Sequence, residues 1–84
     1  MMYTQTTRTS KETRTREITE AELIRLMSQV MLLRQAGEDL TWHAVYTPDY
    51  RHLLRYELTR NHKTRSVHTT FEPVFEPLSP AIGY

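Results

Sequence analysis

Eighty-four residues, 38 % of them hydrophobic, with only two glycines and a net charge of +1, describe one small domain rather than a disordered chain. The absence of cysteine excludes disulfides and thiolate metal sites. The longest apolar run, Val30-Met31-Leu32-Leu33, is too short to cross a bilayer. No charged-then-apolar leader opens the chain, so the expectation is a cytoplasmic protein without a membrane partner.

The small net charge conceals segregation. Residues 1–16 sum to +3, 17–39 to −3, 40–70 to +3 and 71–84 to −2. Such a pattern suits binding to a partner of mixed charge, or local contact with nucleic acid. It lacks the uniformly basic signature of a dedicated nucleic-acid binder.

In chain order, residues 1–17 are rich in threonine and arginine and have little apolar content between Tyr3 and Ile18. They read as a flexible arm, or as an edge strand or hairpin around Ser10-Lys11-Glu12 that orders on a partner. Thr19-Glu20-Ala21-Glu22 is a capping box, and Gly37 stands where a left-handed residue closes a helix. Between them Leu23, Ile24, Leu26, Met27, Val30, Met31 and Leu33 share about half the circumference, an arc suited to lying on a sheet. Leu32 points the other way and marks a contact surface, if the helix has one.

After Asp39 the period becomes two. Leu40, Trp42, Ala44 and Tyr46 alternate with Thr41, His43, Val45 and Thr47, a half-buried strand. Pro48-Asp49-Tyr50 is a turn. Residues 51–60 set His52, Leu54, Tyr56 and Leu58 against Arg51, Leu53, Arg55, Glu57 and Thr59. Asn61-His62-Lys63 turns again, and 64–72 place Val67, Thr69 and Phe71 against Ser66, His68, Thr70 and Glu72.

Phe71-Glu72-Pro73-Val74 is echoed by Phe75-Glu76-Pro77-Leu78. Prolines at this spacing argue against helix and central strand, so 73–84 read as an extended tail that covers the core or docks on a partner.

The expected fold is therefore α+β: one amphipathic helix on a three-stranded antiparallel meander, in the order α-β-β-β. The arm (1–17) and the tail (73–84) flank a single domain (18–72). Trp42, Tyr46, Tyr56 and Phe71 are the largest core candidates. A core this thin makes a homodimer a reasonable expectation, by edge pairing or through Val45, Leu53 and Leu32.

The chemistry-bearing residues give no catalytic pattern. The histidines at 43, 52, 62 and 68 match no ligand spacing, so no metal or other cofactor is expected. The serines lack a nucleophile elbow, and no glycine-rich loop is available for phosphate. One enzymatic class stays open on residue type alone, a small ribonuclease toxin using Arg51, Arg55, Tyr56, Arg60, Lys63, Arg65 and His68.

The outer sheet face is the stronger candidate, with Thr41, His43, Arg51, Arg55 and His68 offering guanidinium forks and short polar groups. Arg8, Arg14 and Arg16 of the arm and Phe75 of the tail extend it. The reading is a non-catalytic interaction module that binds a macromolecular partner, most simply a protein, through a basic sheet face and extended termini. Its character is that of a phage- or plasmid-type accessory or inhibitor protein such as an anti-CRISPR. The alternative is a nucleic-acid-binding regulator using Arg8, Arg14, Arg16, Arg51 and Arg55 on phosphates.

Overall fold

The computed structural model describes residues 1–74 and contains one helix and five strands. These are β1 (Met2–Arg8), β2 (Thr13–Thr19), α1 (Glu20–Gln35), β3 (Leu40–Tyr46), β4 (Leu53–Asn61) and β5 (Ser66–Val74). All strand pairs are antiparallel, in the order β2-β1-β5-β4-β3.

The class is α+β, but the three-stranded meander is corrected to a five-stranded sheet. Of the two readings of residues 1–17, the edge strand or hairpin fits and the arm does not, with β2 at one edge of the sheet. These residues form most of a hairpin whose first strand lies inside the sheet, between β2 and β5. The missing strands have two anchors, Tyr3 and Ile18, which stand opposite each other and are both buried. The threonines between them suit a pleated strand and pair across it, so two buried anchors and pairing of β1 on both sides hold the hairpin in the sheet.

Pro73 also departs from expectation, since it pairs with Tyr3 inside β5. Pairing of β5 with β4 stops at Phe71, two residues earlier. The proline therefore borders only one strand, which is where a strand tolerates its missing N–H. The second copy of the repeat, including Phe75, lies outside the described residues.

The helix boundaries follow from local chemistry. The Thr19 hydroxyl accepts from Glu22 N–H at 3.2 Å, and the Glu22 carboxylate accepts from Thr19 N–H at 3.5 Å, completing the capping box. At the other end Gly37 takes φ +96. Gly37 N–H reaches Arg34 O and Glu38 N–H reaches Leu33 O, both at 3.0 Å, the two bonds of a Schellman closure.

The helix is the crossover between the two sheet edges, β2 and β3. Sixteen residues rise about 24 Å, enough for the roughly 19 Å spanned by four strand spacings. It therefore runs diagonally, from the Thr19 end of β2 to the Leu40 end of β3. Leu23 and Val30 are buried beneath it, with Leu26 and Met27 partly so. Ile24, Met31 and Leu33 belong to the expected apolar arc but stay exposed, because a diagonal helix leaves two corners of the sheet uncovered.

The core is Tyr3, Ile18, Leu23 and Phe71, packed by Trp42, Tyr56 and Leu58. Trp42 lies 5.4 Å from Tyr56 and 5.5 Å from Phe71 between ring centroids, in tilted contacts. Tyr46, expected inside, is 45 % exposed, in one of the uncovered corners.

Candidate partner-binding surface

The face opposite the helix is fixed by strand parity and register. Because Tyr3, Ile18, Tyr56 and Phe71 point to the helix, their alternates point outward. Registered neighbours then form rows across the sheet. One row runs Thr41, Thr59, His68, Arg8 and Thr13; the next runs His43, Glu57, Thr70, Thr6 and Thr15. Val45 with Arg55, and Thr4 with Glu17 and Glu72, continue it toward the helix-start end.

Five of the expected residues are thus brought onto one surface: Thr41, His43, Arg55, His68 and Arg8. At its centre Arg8, Glu57, Thr59, His68 and Thr70 border a shallow hollow of about 360 Å³. The Thr59 hydroxyl and His68 Nδ1 lie 3.2 Å apart. Arg55 Nε donates to Glu57 Oε2 at 2.7 Å, a partly exposed ion pair. Such a pair contributes at most about 1 kcal/mol to folding.

The surface is not basic. In these strands Arg8 and Arg55 are outnumbered by Glu17, Glu57 and Glu72. What dominates is hydroxyl: Thr4, Thr6, Thr13, Thr15, Thr41, Thr59 and Thr70 all point this way. Most of these lie in residues 1–17, read as an arm or an edge hairpin, whose place in the sheet the sequence did not show.

The remaining expected residues fall elsewhere. Arg14 and Arg16 share the parity of Ile18 and so lie on the helix side, a phase the sequence displays once Ile18 is taken as buried. There Gln5, Thr7, Arg14, Thr15 and Arg16 line a trough of about 450 Å³, and Arg16 Nε donates to Gln5 Oε1 at 3.2 Å. Arg16 also lines an adjoining hollow with Glu22, Arg25 and Gln29 of the helix. Arg25 is a member of this cluster that the charge pattern did not single out.

Arg51 sits in the β3–β4 turn, which the Asp49 carboxylate organises. Asp49 accepts the Thr47 hydroxyl and, at 3.2 Å, the Arg51 N–H. The Thr47 bond foremost, then the Arg51 N–H, holds its carboxyl below the usual aspartate value. The set of residue types suited to a ribonuclease is split: Arg55 and His68 face outward, Tyr56 and Arg60 face the helix, and Arg51, Lys63 and Arg65 occupy turns.

Among the described residues no three histidine, aspartate or glutamate side chains converge as metal ligands. No helix in this part of the chain is long and apolar enough to cross a membrane. Among the described residues the fold and surface together define a two-layer α+β domain with one open sheet face. Comparison with family models, curated proteins and solved structures gives no significant match for the chain.

Proposed function

We propose that this chain is a non-catalytic interaction module that occupies the surface of a protein partner through its outer sheet face. The observation that carries this reading is the face itself: five strands wide, uncovered by any of the described residues, rich in hydroxyls and close to charge balance. Mixed donors and acceptors with two arginines and three glutamates match the mixed polarity of a protein surface. A polyanion would meet net repulsion there. Action by occupation is the mode of inhibitor and accessory proteins, and the His68–Arg8–Arg55 region is the natural centre of contact.

Replacing Arg55 and His68 together by glutamate is the test. Affinity capture from the native host with the wild-type chain identifies the partner, and the double variant is expected to lose it. Retention by that variant, with loss on Arg14→Glu plus Arg16→Glu, overturns the assignment of the face.

The arginine cluster supports a second reading. Arg14 and Arg16 line one trough with Gln5, and Arg16, Arg25 and Gln29 line an adjoining hollow beside Glu22, donor groups suited to phosphate contact next to a single carboxylate. Binding to random duplex or single-stranded nucleic acid at low salt, weakening steeply as salt rises and lost with Arg14→Glu plus Arg16→Glu, would favour it.

A further inference from the structure

The two edges of the sheet are unlike. β2 reads Thr-Arg-Thr-Arg-Glu-Ile-Thr, with charge at three of seven positions. β3 reads Leu-Thr-Trp-His-Ala-Val-Tyr, with no lysine, arginine, acid, proline or glycine. Strand edges are ordinarily blunted by charge, proline or bulges, and β3 has none on its outer side; the register shift near Tyr46 is taken up by the extra residue Leu54 in β4. Among the described residues no strand pairs with this edge.

Hydrogen bonding at its two ends shows which groups point outward. Asn61 N–H donates to Asp39 O at 3.0 Å, and Thr47 N–H donates to His52 O at 2.9 Å. Asp39 and Thr47 therefore turn their polar groups toward β4, and by alternation so do Thr41, His43 and Val45. Leu40, Trp42, Ala44 and Tyr46 present theirs to the open edge.

We propose that this edge pairs with the same edge of a second copy of the chain, antiparallel about a twofold axis at His43. Two five-stranded sheets then become one. In this register Trp42 faces Ala44 of the second copy and Leu40 faces Tyr46. All four outward residues thus exchange backbone bonds in both directions, and any other register leaves some unmatched. The two His43 residues meet on the axis as a closely spaced pair that is not hydrogen-bonded.

The apolar surface fits the same operation. The helix flank carrying Arg25 and Gln29 faces Arg16 on β2, so Ile24 and Met31, on the other flank, look toward β4 and β3. Tyr46 and the adjacent bulge residue Leu54 make an exposed apolar shelf at the Tyr46 end of β3. The twofold brings the Leu40 end of the second β3, and with it the last turn of the second helix, alongside this shelf. That turn carries Met31 and Leu32, 62 % and 65 % exposed.

Burial in one copy is confined to six apolar side chains among the described residues: Tyr3, Ile18, Leu23, Val30, Leu40 and Phe71. That is a meagre core for a domain of this size, which oligomerisation commonly supplements. The pairing is isologous and uses up the unguarded edge. The charged β2 edges remain outside, so assembly closes at two copies and does not propagate.

Sedimentation equilibrium of the wild-type chain up to about 100 μM should show a species of twice the 10.0 kDa chain mass. Ala44→Pro removes an outward N–H at an exposed edge position, where proline is tolerated, and should weaken dimerisation at least tenfold. If circular dichroism shows that this variant does not fold, His43→Lys decides instead. That position is on the exposed outer face, and the change sets two ammonium groups opposite each other.

The chain has no cysteine, so His43→Cys gives a direct readout. Cα atoms about 4.5 Å apart are within disulfide range, and mild oxidation should yield a covalent dimer, whereas Thr15→Cys on the β2 edge should not. A wild-type monomer at the highest concentration overturns the proposal. So does a dimer that survives the folded edge variant, or that fails to cross-link through His43→Cys.

Discussion

Tyr3 and Ile18 stand directly opposite each other on β1 and β2, and both are closed over by the helix that starts at Glu20. This pair ties the N-terminal hairpin to the core. Ile18 is 1 % exposed and packs with Leu23 and Phe71, so truncation leaves a cavity that the flanking strands cannot collapse into. Ile18→Ala is expected to lower stability by roughly 2–5 kcal/mol in urea unfolding. Deleting residues 1–16 should abolish cooperative unfolding, because it strips one side of β5 and uncovers Phe71. A deletion that melts like the full chain would return the segment to the status of an arm.

Gly37 has a narrower role. Its φ of +96 is a conformation that L side chains rarely adopt, yet a Cβ built there meets nothing within 4 Å. The cost of Gly37→Ala is therefore the local backbone term alone, about 1–2 kcal/mol. Gly37→Asn should cost less, since asparagine visits the left-handed region more readily. Thermal unfolding of the three proteins should rank them glycine, asparagine, alanine.

The β3–β4 turn predicts an acid limb. Asp49 has its carboxyl held below the usual value by the Thr47 hydroxyl first and the Arg51 N–H second. A depressed folded-state value means that the charged carboxylate favours folding. This contribution is complete above the ordinary aspartate value of about 3.9 and disappears as pH falls through the lowered one. Asp49 is exposed, so the effect is small and local. Asp49→Asn and Thr47→Ala should each flatten the most acidic part of the stability profile and leave neutral pH nearly unchanged. An unaltered acid limb in both variants would show that the turn does not carry it.

The parts legible in the sequence were those set by local chemistry. The capping box at Thr19, the closure at Gly37 and the parity of β3, β4 and β5 depend on neighbours a few residues away. The first two strands depend on a distant one. Six threonines and three arginines surround Tyr3 and Ile18, and nothing local reveals that β5 will pair with β1 from across the chain. Missing that pairing had consequences for the surface. Arg14 and Arg16 take the phase of Ile18 and leave the outer face, and threonines replace them. The face therefore lost the basic character expected of it while keeping His43, Arg55 and His68. Tyr46 and Met31 illustrate a second limit: periodicity shows which side faces the helix layer, but only the diagonal path shows how far that layer extends.

The Tyr3 hydroxyl supplies a test at the opposite end of the pH scale. Its ring lies 6.4 Å from that of Tyr56 between centroids. Burial raises the Tyr3 value above 10.0, with Tyr56 and Glu20 adding to the rise. A raised value means that the fold favours the neutral phenol. That stabilisation is fully present below the unfolded tyrosine value, and it is lost as pH rises through the folded one. Wild-type stability should accordingly fall above about pH 10. Tyr3→Phe keeps the ring against Ile18 and removes the titrating group, so its alkaline limb should be shallower while its stability at pH 7 stays within about 1 kcal/mol of wild type. Tyr50, which is 82 % exposed in the β3–β4 turn, is the control, since Tyr50→Phe should leave the limb unchanged. Equal limbs for wild type and Tyr3→Phe would mean that β1 opens before its tyrosine ionises, and the hairpin would then be the first part of the sheet to separate.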